Sequence, residues 1–312
     1  MKETKHITEG AIMLGIFALL LLMTLFVPFI GILSFLAMAV PFVIYTVRNG
    51  WKPGIWLIVL AAILSVLLGT PIALMLSIPA STVGVIIGYC IAKKLNRYAI
   101  LGAATGVYLL NYILAYVLVI VVFNINFVDL LDEMMRESME MSVSIATALG
   151  QQNADEAMEA FDSALSFTNY LLPFLLVMTA FVHAFFTQLF AIFIVKRLRI
   201  EVSPFPPFRE IMLPRSLLWY FVAVVLLSLS QPAEGSTLYI VVLNLTFVLS
   251  FLLALQGFSF VFFFCYEKKI PKALPIMILI FSFLIPQLLY IIRMIGIVDI
   301  GFSLREIIKR KK

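Results

Sequence analysis

The sequence predicts an all-α fold: a polytopic integral membrane bundle of eight or nine transmembrane helices, with the N-terminus in the cytoplasm. Three observations predict it. Hydrophobic residues make up 63% of the 312 and charged residues 12%, and the mean hydropathy is +1.11; soluble domains run at roughly 45–50% apolar and about 25% charged. The apolar residues come in long runs near the ~20 residues that carry a helix across about 30 Å of hydrocarbon, not in the ~10-residue alternating segments of a barrel. All 17 carboxylates can be placed outside those runs. A water-soluble globule, a disordered chain and a disulfide-stapled secreted domain are excluded, and the expected location is the cell membrane.

The first run, residues 10–27, follows Lys2 and Lys5 in the manner of a signal peptide. No small-residue cleavage site comes promptly and a second run begins at 29, so it reads as an uncleaved span. Runs at 29–47, 54–68, 72–92 and 99–123 complete an N-terminal five-span bundle over 1–123. Small residues recur here at a spacing of four: Ala11 and Gly15 in the first span, Ser77, Ser81, Gly84, Gly88 and Ala92 in the fourth, Gly102 and Gly106 in the fifth. Such faces let helix backbones approach closely. In the fourth and fifth spans they read as packing within the chain. In the first, a terminal helix, the face serves packing or a partner protein equally well. The fifth span also carries Tyr108, Tyr112 and Tyr116 on one stripe with Thr105 and Asn111 adjacent, which fits a binding cavity or buried packing.

Residues 124–168 form an external insertion with nine acidic residues against Arg136, a net of −8. From Phe127 to Met141, Leu130, Leu131, Met134, Met135 and Met139 alternate with charges at helical spacing, predicting an acidic amphipathic helix at the outer mouth. The methionines resemble a copper(I) set, but no His or Cys joins them, so they read as an apolar face and no metal site is expected.

A C-terminal membrane region covers 169–312. Its first run, 169–195, places Thr179, His183 and Thr187 on one face with Gln188 alongside; an ionisable group within a span is a candidate functional site. Residues 196–214 follow as a cytoplasmic loop, basic and proline-rich (Pro204, Pro206, Pro207, Pro214), where proline excludes helix and favours an extended path. Phe205, Pro207 and Phe208 make it a candidate docking strip. The run 216–230 is short, and 237–265 is long enough to require tilt. The last, 274–295, contains Pro286 and Arg293. It either crosses and leaves the tail outside, or dips in and returns, giving eight crossings and an inner tail.

Orientation follows from the cations. With the N-terminus inside, 15 Lys and Arg residues fall on inner segments while the outer loops before the tail hold only Arg136. The tail, with Arg305, Lys309, Arg310, Lys311 and Lys312, obeys the same rule only if it lies inside. Because the cations cluster beside spans, the basic pI of 9.1 points to anionic lipid and not to nucleic acid. No HExxH, GxSxG or Walker A sequence is present, so no cofactor, ATP site or catalytic centre is expected. The lack of a mid-span Asp or Glu disfavours a proton- or sodium-coupled pump.

Lys196-Arg197-Leu198, Pro206-Pro207-Phe208, Leu213-Pro214-Arg215, Gly84-xxx-Gly88-Tyr89 leading to Lys93-Lys94, and Asp299-Ile300-Gly301-Phe302 with Arg305 together resemble the YybS-like family of polytopic membrane proteins of Firmicutes. More distantly, the first six spans are similar to the S components of energy-coupling factor vitamin transporters, which bind a vitamin from outside and dock a membrane partner through an AxxxA face. That resemblance implies Ala11 and Gly15 as docking positions, with glycine replacing the second alanine, and an energy-coupling partner. The expected function is that of a non-enzymatic membrane protein binding or helping to transport a small molecule or lipid, at Tyr108, Asn111, Tyr112, Thr179, His183 and Thr187. The alternative is an envelope or sporulation scaffold that docks other membrane proteins through its proline loop.

Overall fold

A computed structural model describes residues 2–69, 71–124, 126–148, 154–302 and 304–310. All regular structure among them is helical: α1 (Lys2–Phe26), α2 (Ile30–Ala37), α3 (Val40–Asn49), α4 (Trp51–Leu68), α5 (Leu74–Ala92), α6 (Arg97–Phe123), α7 (Phe127–Ala148), α8 (Ala154–Tyr170), α9 (Leu172–Arg197), α10 (Ser216–Ser228), α11 (Thr237–Glu267), α12 (Ala273–Leu284), α13 (Pro286–Phe302) and α14 (Leu304–Arg310), with short 3-10 turns at Pro71–Ala73 and Phe208–Glu210. Among the described residues seven helices are long and apolar enough to cross a membrane, counting α2 and α3 together, and α10 and α12 are shorter apolar helices.

Prolines break two runs that read as continuous. Pro41 in the first turn of α3 has no N–H to give an α2 carbonyl, and the chain turns over Met38 and Ala39. Pro286 opens α13 after an extended Ile285, dividing the last run in two. Asn96 caps α6 and Ser236 caps α11 through their side-chain oxygens. The proline-rich segment runs without helix up to a single 3-10 turn, and Pro207 sits at φ −53°, ψ 137°, the polyproline region.

Contacts divide the chain into two units, Met1–Met158 with Leu175–Phe205, and Glu159–Phe174 with Pro206–Lys312. The division differs from the boundaries read from sequence, because most of α9 belongs with the N-terminal spans. Its Ala180, Ala184, Ala191 and Val195 are fully buried in one core with Ile87, Ile100 and Tyr108. In this first unit α5 lies against α3, α4 and α6. The small stripe of α5 is what permits that closeness: a methyl at Gly84 would stand 2.5 Å from the Ala39 carbonyl oxygen, and one at Gly88 2.8 Å from that of Val43. The stripe of the fifth span is a correction, since its spacing predicts packing within the chain, while that of the first span leaves its partner-facing alternative open. A methyl at Gly15, Gly102 or Gly106 would meet nothing within 4 Å, and these faces of α1 and α6 are exposed. Spacing alone does not say which side of a helix has a neighbour.

The acidic insertion forms α7 and α8, where the charge pattern predicts one amphipathic helix, and residues 149–153 between them lie outside the described residues. Leu130, Leu131, Met134 and Met135 of α7 are exposed.

In the second unit α10 and α11 pack with α12 and α13. Pro275 and Ile276 line a cavity with Cys265 and Phe262, and the Phe283 ring lies 6.4 Å from that of Phe258, so α12 runs antiparallel to the end of α11. Arg293 then bonds Ser250, Asp299 bonds Gln256 and Arg305 bonds Ser259, so α13 runs back parallel to α11. The last apolar run is therefore a helical hairpin reversing at Ile285–Pro286, with both ends at the Lys268–Lys272 end of α11. Where the hairpin touches α11 the backbones meet directly. A methyl on Gly257 would overlap the carbonyl oxygen of Ile292, and one on Gly296 that of Leu253.

Candidate functional site

The helical spacing of α6 and α9 brings four of the six expected ligand residues together in the first unit. The His183 ring stacks on Tyr108, centroids 4.0 Å apart, and on Phe35 of α2 at 4.6 Å. The Tyr112 hydroxyl lies 2.5 Å from His183 Nδ1, and the Tyr108 hydroxyl 3.0 Å from Thr187 Oγ1. Gln188, fully buried, donates to the Arg97 carbonyl at 3.0 Å. The remaining two residues lie elsewhere. Asn111 donates to Thr82 Oγ1 of α5 and to the Val107 carbonyl, and Thr179 is exposed. His183 Nε2 and Gln188 Oε1 are buried with no hydrogen-bond partner among the described residues. The imidazole is thus enclosed by the chain's own rings, and the cluster joins α6 to α9 through polar side chains, as membrane helices do.

The candidate docking residues divide similarly. Ala11 and Gly15 are exposed. Phe205 is turned inward, under the Arg97 guanidinium at 4.7 Å and edge-on to Tyr98. Phe208, in the second unit, packs edge-on against Phe262, and its carbonyl accepts from Ser259. Only Pro207 of the strip is exposed. Proline content predicts the extended path, but not which way the aromatic rings face.

Two features of the second unit were not foreseen. The first is a buried ionic knot. Asp299 is 0% exposed and Arg305 6%. The Arg305 guanidinium donates to Asp299 Oδ2 through Nε (3.0 Å), to the Arg209 carbonyl (2.7 Å) and to Ser259 Oγ (3.0 Å). Gln256 donates to the same Asp299 oxygen at 2.6 Å and accepts from the Leu213 amide. The signal was the single Asp near a lone Arg, six residues on, beside a span holding Gln256 and Ser259. It was hidden because Asp299 follows the apolar run and so reads as a tail residue.

The second is a cavity of ≈550 Å³ between α11 and the hairpin, within the ~300–1,000 Å³ typical of ligand sites. Its walls are apolar and rich in phenylalanine, including Phe247, Phe251, Phe258 and Phe283. Leu289, Tyr290 and Arg293 of α13 also line it, and no carboxylate does. Arg293 Nη1 donates to Ser250 at 2.9 Å, and the guanidinium lies 4.5 Å from the Tyr290 ring centre. A second cavity of ≈510 Å³ at the end of α11 is lined by Arg209, Tyr266, Lys269 and Lys272.

Repeated apolar helices, close glycine crossings and an apolar cavity define the class: an all-α, multi-pass integral membrane protein. The chain belongs to the family described as Predicted membrane protein (DUF2232), whose model matches residues 15–300. It is similar to the Bacillus subtilis (strain 168) protein titled Uncharacterized protein YybS, 30% identical over 310 residues that cover 99% of this chain and 100% of that one. No solved structure gives a match. The likeness to vitamin-transporter S components is not supported by these comparisons.

Proposed function

We propose that this membrane protein binds a membrane amphiphile, a lipid or lipid-like molecule, in the cavity between α11 and the α12–α13 hairpin. The observation that carries the reading is the cavity itself: its size, its apolar and aromatic walls, and one cationic side chain to fix orientation. It moves the expected binding role from the Tyr108–His183 cluster, where the chain's own rings cover the imidazole, to the second unit. The scaffold alternative is weakened because Phe205 and Phe208, its aromatic anchors, pack inside their own units.

The test is lipid extraction from the full chain purified in mild detergent, followed by mass spectrometry. Leu255, half-buried in the wall, is replaced by Trp to fill the space. A tightly held amphiphile should copurify with the wild type and be depleted in Leu255→Trp at an unchanged protein yield. Equal lipid content in both refutes the cavity as the binding site.

A further inference from the structure

The cavity wall is mostly apolar, with Thr246 and Ser250 among its few polar residues, and Arg293 is its one cation. Arg293 makes one hydrogen bond, to Ser250, although a guanidinium carries five N–H donors, and its Nε is buried with no partner among the described residues. Aromatic Tyr290 covers it, and no carboxylate among the described residues pairs with it. Ser250 is the fourteenth residue of α11, about 20 Å from one end of that helix and about 25 Å from the other at 1.5 Å per residue. Arg293 therefore sits near the middle of the longest helix, not at an end where a cation reaches the interface. A second positive source points the same way. Pro286, Leu289 and Tyr290, all lining the cavity, belong to the first two turns of the 17-residue α13, whose N-terminus carries the positive end of its macrodipole.

Arg293 as a whole is half-buried and only its Nε is fully enclosed, but a cation midway along a membrane helix is costly without a counter-ion. Here the described residues around the cavity supply two positive sources and no anion. We propose that the counter-ion is the ligand: a membrane phospholipid whose phosphate is held by Arg293 and the α13 N-terminus within the helix layer, while its chain occupies the phenylalanine-lined space. Arginine suits this because its planar fork presents paired donors to phosphate oxygens. The inference rests on the reading of the cavity as an amphiphile site and adds the chemistry of the head group.

The test uses the full chain, delipidated in an uncharged detergent, and follows its melting temperature. Phosphatidic acid, diacylglycerol with the same chains, and inorganic phosphate are added separately. Phosphatidic acid should raise the wild-type melting temperature more than diacylglycerol does, and inorganic phosphate alone should not raise it. In Arg293→Gln the two lipids should act alike. Ser250→Asp is the second variant, for it sets a carboxylate at the hydrogen-bond position already bound to Arg293. It should raise the melting temperature of the lipid-free protein and remove the preference for phosphatidic acid. Persistence of that preference in either variant overturns the assignment to Arg293. Equal stabilisation of the wild type by both lipids overturns the phosphate claim and leaves the amphiphile cavity standing. If neither lipid stabilises the wild type, the cavity reading falls as well. An equal effect from inorganic phosphate overturns the lipid as its source.

Discussion

Arg305→Met tests whether the buried knot holds the C-terminal hairpin in place. The substitution keeps much of the side chain's apolar volume and removes every donor. Three segments lose their common partner: the Arg209 carbonyl, Ser259 on α11, and Asp299 on α13. Ser259 keeps bonds to the Phe208 and Ile211 carbonyls, so its loss is small. Asp299 is the expensive group. Its side chain is 0% exposed, Gln256 remains its one neutral donor, and Oδ1 already has no partner among the described residues. Removing one member of a buried ion pair costs about 3–5 kcal/mol, because the survivor is charged and unsolvated. Arg305→Lys keeps the charge but loses the fork, so it should cost about 1–3 kcal/mol, the sum of two ordinary hydrogen bonds. The double variant Asp299→Leu/Arg305→Met leaves no orphaned charge and should be more stable than Arg305→Met alone. Unfolding of each variant in mixed micelles, titrated with SDS and followed by circular dichroism, gives the free energies and the coupling between the two sites. A loss below about 1 kcal/mol for Arg305→Met, the range of an exposed pair, would refute the reasoning. Strict additivity in the double variant would refute it too.

Three further outcomes are expected. Gly296→Ala should cost about 1–3 kcal/mol in the same assay because its methyl overlaps the Leu253 carbonyl oxygen, while Gly102→Ala, with nothing within 4 Å, should stay within about 0.5 kcal/mol of wild type; similar effects from both would contradict the α11–α13 contact. His183→Leu should lose about 0.6–1.7 kcal/mol, the span measured for membrane hydrogen bonds, through the Tyr112 bond, and should leave lipid copurification unchanged; loss of the lipid would return the binding role to the α6–α9 cluster. Cysteines placed singly at Lys268, Glu306 and Ser138 should react with an impermeant maleimide in intact cells only at Ser138. Labelling of Glu306→Cys but not Lys268→Cys would show that the last run crosses and does not return.

Much of the helical layout was legible because a membrane span states itself in composition: a long apolar run needs no partner to be recognised. What could not be read was which faces meet. Gly84 with Gly88 and Gly102 with Gly106 have the same spacing, yet the first pair abuts the α3 backbone and the second faces open space. Gly257 and Gly296, the closest crossing of the second unit, have no small residue four positions away in their contact stripes, so no periodic signal marked them. The site divided along the same line. The i, i+4 spacing of His183 and Thr187 and of Tyr108 and Tyr112 placed the two pairs on facing sides of α9 and α6, because that spacing is geometry within one helix. Phe35, which covers the imidazole, comes from another helix across a turn that only the folded chain closes. Arg293 was visible as a cation near Pro286. Its lack of an acidic partner is a property of the neighbours.

The hairpin bears on the conflict between cation counts and apolar runs. With nine crossings, five cations of the tail would lie opposite the side favoured by 15 others. With α12 and α13 returning to the same end of α11, Arg305 comes to the Arg209 carbonyl. The return also explains why the costly elements of α13 occur together. A helix that begins within the layer exposes an N-terminus where no water can satisfy it, and Arg293 adds a full charge two turns later. Such a segment stays in place only if something beyond Arg293 holds it. The backbone contact at Gly257 and Gly296 and the Arg305 knot supply that hold, three and twelve residues further on. Both anchors lie outside the cavity wall, so they hold the hairpin independently of that wall, and a ligand entering the space beside Arg293 need not first order it.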